Sequence, residues 1–183
     1  MDTKSFDIDQ AKVFIKPIKA IPKGSPHRLE TQRLAVSQLI ENAGLNPNLL
    51  TKTTEGKPFL IGENQPFISI SHTASYAAIA LSAHPVGLDI EHTSVRTLRV
   101  LPRIINATES TLISFPADTL LATKVWSLKE AVFKLYGTSC KTISEVIISS
   151  FTETEAYTAP PFQAIVRFEK KEDLVIALAA MND

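Results

Sequence analysis

The spacing of apolar and polar residues along the first half of the chain predicts one helix and several strands. Ser25 is expected to be the N-cap of the helix and Pro26 its first residue, and the helix is expected to end at Gly44. Gly56 is expected to be the hinge of a turn over residues 53–57. Short apolar, β-branched runs predict strands, in chain order, at residues 13–21, 67–71, 76–82 and 86–91.

The second half opens with helical spacing and closes with strands. Residues 93–114 have a helical pattern that Pro102 interrupts, and Asn106 with Glu109 three residues later has the spacing of a capping box. The longest predicted helix begins at Pro116 or Asp118, runs to Tyr136 and ends at Gly137. The remaining pattern predicts strands at residues 143–149, 162–168 and 174–180, the last two forming a hairpin across the charged turn 170–173.

This order of elements predicts an α+β fold made of two similar halves. We place the first half at residues 1–92, with a strand, a helix and three strands. The second half, residues 93–183, has helices followed by three strands. Since no flexible linker separates them, we expect the two halves to pack as one body.

Composition narrows the class of protein. The 183 residues include 19 basic and 19 acidic side chains and are 44% hydrophobic, which is typical of a packed globular protein without a field that attracts nucleic acid or membrane. Cys140 is the one cysteine, so it cannot form an intrachain disulfide, and we interpret it as a small packing residue. The acidic start, residues 1–10, is unlike a secretory signal, and we expect a cytoplasmic protein.

The predicted strand at 86–91 has one apolar face and one that carries Gly87, Asp89 and Glu91. We expect the glycine to leave the space above this face open. Two carboxylates side by side repel each other unless a cation lies between them, and oxygen ligands suit Mg²⁺ or Mn²⁺. The alternative is a polar, solvated face of a half-buried strand, and the strand by itself leaves both interpretations open.

The long helix has two different faces. Opposite the core face lie Glu130 and Lys134, flanked by Trp126 and Phe133, while Lys129 falls between the faces and cannot be assigned. Glu130 is a candidate metal ligand or proton acceptor and Lys134 a candidate phosphate ligand. The alternative is a surface Glu–Lys pair that stabilises the helix by about 0.3–0.5 kcal/mol. The predicted core stripe consists of Leu121, Val125, Leu128, Val132 and Leu135.

Taken together, these segments resemble the motifs of the 4'-phosphopantetheinyl transferase superfamily. The paired motifs are GLDIE at residues 87–91 and WSLKEAVFK at residues 126–134. Upstream, GKP at 56–58 and ISISHT at 68–73 resemble two further motifs of the longer, surfactin-synthetase-activating type. Residues 103–109 resemble the segment that lies between the paired motifs. Four motifs in order are a far more specific signal than any one of them.

The resemblance implies a fold in which two related α+β halves lie around a pseudo-twofold axis with coenzyme A bound between them. The shorter, carrier-protein-synthase type of the family is a single half that must trimerise. Because this chain carries both halves, the resemblance favours the longer type and a monomer.

The resemblance also implies roles for individual residues. Asp89, Glu91 and Glu130 would hold Mg²⁺ or Mn²⁺, and Lys134 would contact the pyrophosphate of coenzyme A. Phosphates of the 3',5'-ADP portion would be held by Lys57, Ser71 and His72, with Arg28 and Arg33 on the first helix as candidates for the 3'-phosphate. A histidine after an apolar strand is by itself more often structural, and it is the neighbouring motif that favours phosphate binding.

The implied reaction transfers the 4'-phosphopantetheine arm of coenzyme A to a serine of an apo acyl or peptidyl carrier protein and releases 3',5'-ADP, a holo-acyl-carrier-protein synthase activity. Glu130 is the candidate base and Lys134 the candidate for stabilising charge on the leaving group. Two alternatives stay open: a transferase-like binding module that has lost catalysis, and a metal-dependent phosphohydrolase acting on a nucleotide.

Overall fold

A computed structural model describes residues 3–21, 24–113 and 117–181 of the chain, which fold into two compact units. The first unit ends at Val86 and the second begins at Gly87. Within the described residues, no helix has the length and apolar character that crossing a lipid bilayer requires.

The first unit is a four-stranded antiparallel sheet covered by one helix. Its sheet has the order β1-β2-β6-β5, and β3 and β4 form a separate short hairpin. Val36, Leu39 and Ile40 of the helix pack against Phe14 and Ile79 of the sheet, which buries the apolar face of each. The elements are β1 (Lys4–Ile8), β2 (Ala11–Pro17), α1 (His27–Asn42), β3 (Leu50–Lys52), β4 (Pro58–Leu60), β5 (Phe67–His72) and β6 (Tyr76–Ser82).

The second unit is a five-stranded sheet of order β7-β11-β10-β9-β8 with the long helix α4 packed on it. Leu128 and Val132 of the helix share a core with Val166 and Ala177 of the sheet. The elements are β7 (Val86–His92), α2 (Val95–Val100), α3 (Ala107–Leu112), α4 (Thr119–Tyr136), β8 (Ile148–Phe151), β9 (Glu155–Thr158), β10 (Ala164–Lys171) and β11 (Leu174–Met181).

Helix α4 has the ends and the core face that its sequence predicts. The side chain of Asp118 accepts a hydrogen bond from the backbone of Leu121 at 2.8 Å, and Gly137 ends the helix at a φ of 59°. The alternative start at Pro116 lies outside the described residues. Leu121 is only partly buried, whereas the other four residues of the predicted stripe are buried. Cys140 is a packing residue of this core, as predicted.

Strand β7 belongs to the second unit and not to the first. The sequence predicted a division after His92, but β7 pairs with β11 and completes the second sheet, so the chain divides between Val86 and Gly87. Strand pairing decides this boundary, and the pairing partner of β7 lies more than 80 residues further along the chain.

Several local predictions need correction. Residues 143–145 form a 3-10 turn, so the strand predicted from residue 143 begins only at Ile148. The predicted cap Ser25 does not cap α1: the first flanking residue is Pro26, and no side chain of the described residues caps that end. The turn hinged on Gly56 is confirmed, since the Gly56 amide donates to the carbonyl of Thr53 at 3.0 Å.

Candidate functional site

The functional candidates of the second unit depend on a close approach between α4 and β7 at Gly87. A β-carbon at this position would lie 2.0 Å from the carbonyl oxygen of Ala131 and 2.8 Å from the amide nitrogen of Leu135. The expectation that the glycine leaves open space is therefore wrong, because the backbone of α4 fills that space. The missing side chain lets the turn of the helix that carries Glu130 and Lys134 lie against the strand.

Asp89 and Lys134 form an ion pair between this strand and this helix. The ammonium of Lys134 donates to Oδ1 of Asp89 at 2.7 Å and to the carbonyl of Leu88 at 3.0 Å. Asp89 is buried and Lys134 partly buried, so the pair is poorly screened by water. The two residues lie 45 positions apart in the sequence, and the structure brings them together.

Glu91 and Glu130 are two further acids on which the charge of Asp89 acts. Burial, and next the charge of Asp89, raise the pKa of Glu91; hydrogen bonding from Trp126 and the charges of Arg96 and Lys134 oppose the shift. Burial and the charge of Asp89 likewise raise the pKa of Glu130, and Lys134 opposes. Because one charge acts on both glutamates, the three acids share one electrostatic neighbourhood.

The chemistry of this donor set fits a divalent cation. Within the described residues, no group of three or more His, Cys, Asp or Glu is arranged closely enough to hold a metal ion, and it is Lys134 that neutralises Asp89 here. A hard cation with oxygen ligands would nevertheless stabilise Glu91 and Glu130, whose ionised forms burial and the charge of Asp89 disfavour. The set therefore has the donor type and charge for Mg²⁺ or Mn²⁺.

A second ion pair on α4, which the sequence does not reveal, lies wholly in the core. The ammonium of Lys129 donates to Oε1 of Glu109 at 2.7 Å and also to the carbonyl of Val146, and neither side chain is exposed to solvent. Glu109 further accepts from the backbone amides of Asn106 at 2.9 Å and Ile148 at 3.0 Å. Burial lowers the pKa of Lys129, and the hydrogen bond and charge of Glu109 oppose that shift.

The predicted capping box at Asn106 is confirmed, but it describes only part of what Glu109 does. One carboxylate oxygen caps α3 and the other binds the helix α4 and the strand β8. The sequence feature that indicates this ion pair is the position of Lys129 between the two faces of the helix. A lysine at such a place requires an acidic partner when the helix is buried on both sides.

The phosphate-binding candidates of the first unit lie on its helix, on β5 and in the β3–β4 turn. Lys57 is half-buried in that turn, and burial lowers the pKa of its ammonium. Its backbone is held by Thr53, whose amide donates to the Lys57 carbonyl at 2.9 Å. Ser71 is buried within β5, and His72 ends the strand with an exposed side chain.

Helix α1 orients His72 through a residue that the sequence did not single out. The side-chain amide of Gln32, which is buried, donates to Nδ1 of His72 at 3.2 Å. Arg28 lies one helical turn before Gln32 and is partly buried, whereas Arg33 is exposed.

The two motifs that form this contact between β7 and α4 both lie in the segment of the chain that matches a known family. The model of the 4'-phosphopantetheinyl transferase superfamily matches residues 85–179, a little over half of the chain and nearly all of the second unit. The chain belongs to this superfamily.

A named relative points to the same family. Over 96 residues, the chain is 29% identical to the 4'-phosphopantetheinyl transferase gsp of Aneurinibacillus migulanus. The matched segment covers 50% of this chain and 40% of the relative, so the chain spans well under two thirds of that protein's length. The family resemblance of the sequence motifs is confirmed by both comparisons.

Proposed function

We propose that this protein transfers the 4'-phosphopantetheine arm of coenzyme A to a serine of an apo acyl or peptidyl carrier protein and releases 3',5'-ADP. The superfamily to which the chain belongs supports phosphopantetheine transfer in general. The observation that carries the proposal is the close approach of α4 to Gly87. It places Lys134 at hydrogen-bond distance from Asp89, and it places Glu130 where the charge of Asp89 acts on it.

In this proposal, Asp89, Glu91 and Glu130 hold the divalent cation, Mg²⁺ or Mn²⁺. When bound, such an ion neutralises the diphosphate of coenzyme A and stabilises the charge that develops on the leaving group. Burial and the charge of Asp89 raise the pKa values of Glu91 and Glu130, and this supports the assignment because a bound cation would favour both ionised forms.

The reaction forms a bond between the carrier serine oxygen and the β-phosphorus of coenzyme A and breaks the bond from that phosphorus to the bridging oxygen. Glu130 is also the proposed acceptor of the serine proton, because it is a carboxylate one helical turn before Lys134 on the same face of α4. Lys134 orients Asp89 and supplies positive charge beside the leaving oxygen.

For the first unit we keep the prediction that Lys57, Ser71 and His72 bind the phosphates of the 3',5'-ADP portion. Burial of the Lys57 ammonium supports this prediction, since a nearby anion such as a phosphate stabilises the charged form that burial disfavours. Arg28 is a candidate for the 3'-phosphate, and Arg33 a weaker one. The pseudo-twofold arrangement of two halves and the monomeric state belong to the same proposal.

The test is mass spectrometry of a panel of apo carrier proteins incubated with this protein, coenzyme A and Mg²⁺. We expect one carrier or more to gain the mass of a single phosphopantetheine. We expect Asp89→Asn to abolish the gain while the protein stays folded by circular dichroism. Glu169→Gln, which removes an exposed acid on β10, is the matched control and should leave the rate unchanged.

Other outcomes would identify the two alternatives. Release of inorganic phosphate without any carrier would indicate a phosphohydrolase. Binding of coenzyme A without transfer to any carrier in the panel would indicate a binding module. An active Asp89→Asn enzyme would contradict the metal assignment while leaving the transfer activity intact.

A further inference from the structure

One face of α4 carries a polar stripe that is longer than the Glu130–Lys134 turn. At about 100° per residue, the side chains of Thr123, Ser127, Glu130 and Lys134 fall within roughly 60° of one another. The first two are fully buried and the last two partly buried. Two hydroxyls in the core therefore precede the candidate catalytic residues on the same side of one helix.

The two hydroxyls differ in how they are satisfied. Thr123 donates to the carbonyl of Thr119 at 2.7 Å and forms a hydrogen bond with the Thr97 hydroxyl at 2.9 Å. The hydroxyl of Ser127, although wholly buried, has no hydrogen-bond partner among the described residues. A serine in a helix usually donates to the carbonyl four residues before it, and a buried hydroxyl that donates nowhere destabilises the fold.

We propose that Ser127 is a positioning residue whose hydroxyl donates to the carboxylate of Glu130 during phosphopantetheine transfer. Glu130 lies three residues further along the helix, where side chains are neighbours on the helix surface. A buried carboxylate that must be ionised gains more from one added donor than a solvated carboxylate does. This inference rests on the proposed function, and Ser127 acts through Glu130 without touching the substrate.

We expect Ser127→Ala to lower the transfer rate without lowering the thermal stability. We expect kcat for transfer to fall about tenfold, the effect of losing one hydrogen bond to a charged group, with KM for coenzyme A changed less than twofold. The Tm should be unchanged or higher, because the variant removes an unpaired buried hydroxyl and alanine favours the helix. Ser127→Cys keeps the volume with a weak donor, so its kcat should be low as well.

Thr123→Val is the matched control, since it removes a buried hydroxyl of the same helix face that has partners. We expect its Tm to fall and its kcat to stay within twofold of the parent. The proposal is overturned if Ser127→Ala keeps the parent kcat, if its Tm falls as in the control, or if it does not fold. A parent protein that modifies no carrier overturns the proposed function, and the inference about Ser127 with it.

Discussion

The carboxylate of Glu130, the proposed catalytic base, lowers the stability of the folded protein. Burial and the neighbouring charge of Asp89 disfavour its ionised form, which is the form that a cation or a serine proton would require. In the free protein at neutral pH, this carboxylate therefore lowers the stability of the folded state relative to an uncharged side chain.

We predict that Glu130→Gln raises the Tm at pH 7 by a few degrees and lowers the transfer rate at least about 100-fold. The sign of the stability effect follows from linkage: a raised folded-state pKa makes stability fall as pH rises from the ordinary carboxyl pKa through the folded one. The gain should therefore shrink below about pH 4.5, where Glu130 is protonated in both states. Thermal denaturation in the absence of divalent ions, from pH 4 to pH 8, measures it.

Glu169→Gln is the comparison for this prediction, because Glu169 is an exposed acid of the same unit. Its Tm should follow the parent at every pH. A Glu130→Gln protein that is less stable than the parent at pH 7 would show that the carboxylate already has favourable partners that outweigh its burial.

Among the elements, the contact between β7 and α4 depends on one backbone position. The carbonyl of Ala131 occupies the place where a side chain at residue 87 would begin. The helix and the strand are therefore packed more closely than any residue but glycine allows, and this spacing brings Lys134 to Asp89.

We predict that Gly87→Ala destabilises the protein by about 1–3 kcal/mol and abolishes most transfer activity, because α4 must move away from β7. Urea denaturation and the transfer assay measure the two effects. Adding Ala131→Gly should give no rescue, since the obstructing atom belongs to the backbone. Recovery of activity in that double variant would show that side chains, not the helix backbone, set the spacing.

The Glu109–Lys129 pair gives a second prediction for the elements. Glu109→Ala leaves the buried ammonium of Lys129 without its counterion and the amides of Asn106 and Ile148 without their acceptor, and we expect it to cost about 3–5 kcal/mol. Lys129→Met should cost less, because Glu109 keeps its two backbone donors. Chemical denaturation measures the free energy of unfolding of both variants. A larger loss of stability for Lys129→Met than for Glu109→Ala would contradict this account.

The elements also show how far the sequence predicts the structure. Strand β6 and helix α4, the latter with its predicted start at Asp118, were predicted within a residue of their ends, because alternation, caps and a terminal glycine act locally. Strands β1 and β9 were missed, since short, partly exposed strands are determined by the neighbour they pair with. Lys129 could not be assigned because its partner, Glu109, lies 20 residues away and only the tertiary fold brings them together.

On the scale of the whole molecule, the candidate residues are divided between the two units. The carboxylates and Lys134 lie in the second unit, which the family model matches almost throughout, and Lys57, Ser71 and His72 lie in the first, before residue 85. The proposed reaction needs both sets, so a variant in the first unit tests whether that unit takes part.

We predict that Lys57→Ala raises KM for coenzyme A about tenfold and leaves kcat within about threefold, as expected for loss of a ground-state contact to a phosphate. Steady-state transfer to one carrier measures both constants. Dephospho-coenzyme A, which lacks the 3'-phosphate, should show a much smaller effect. An equal loss with both substrates would place Lys57 away from that phosphate, and no loss with either would remove it from the binding site.

The carboxylate of Glu109 also makes the order of α4 depend on a strand that is synthesised later. Its partners on the backbone extend to Ile148, so a nascent chain that has not yet emerged past β8 carries a lysine on α4 with an incomplete counterion environment. We expect the amides of α4 to gain protection from hydrogen exchange only in ribosome-bound chains that expose residue 148. Protection of the α4 amides in shorter chains would contradict this prediction, because the helix would then be ordered before Ile148 can bind Glu109.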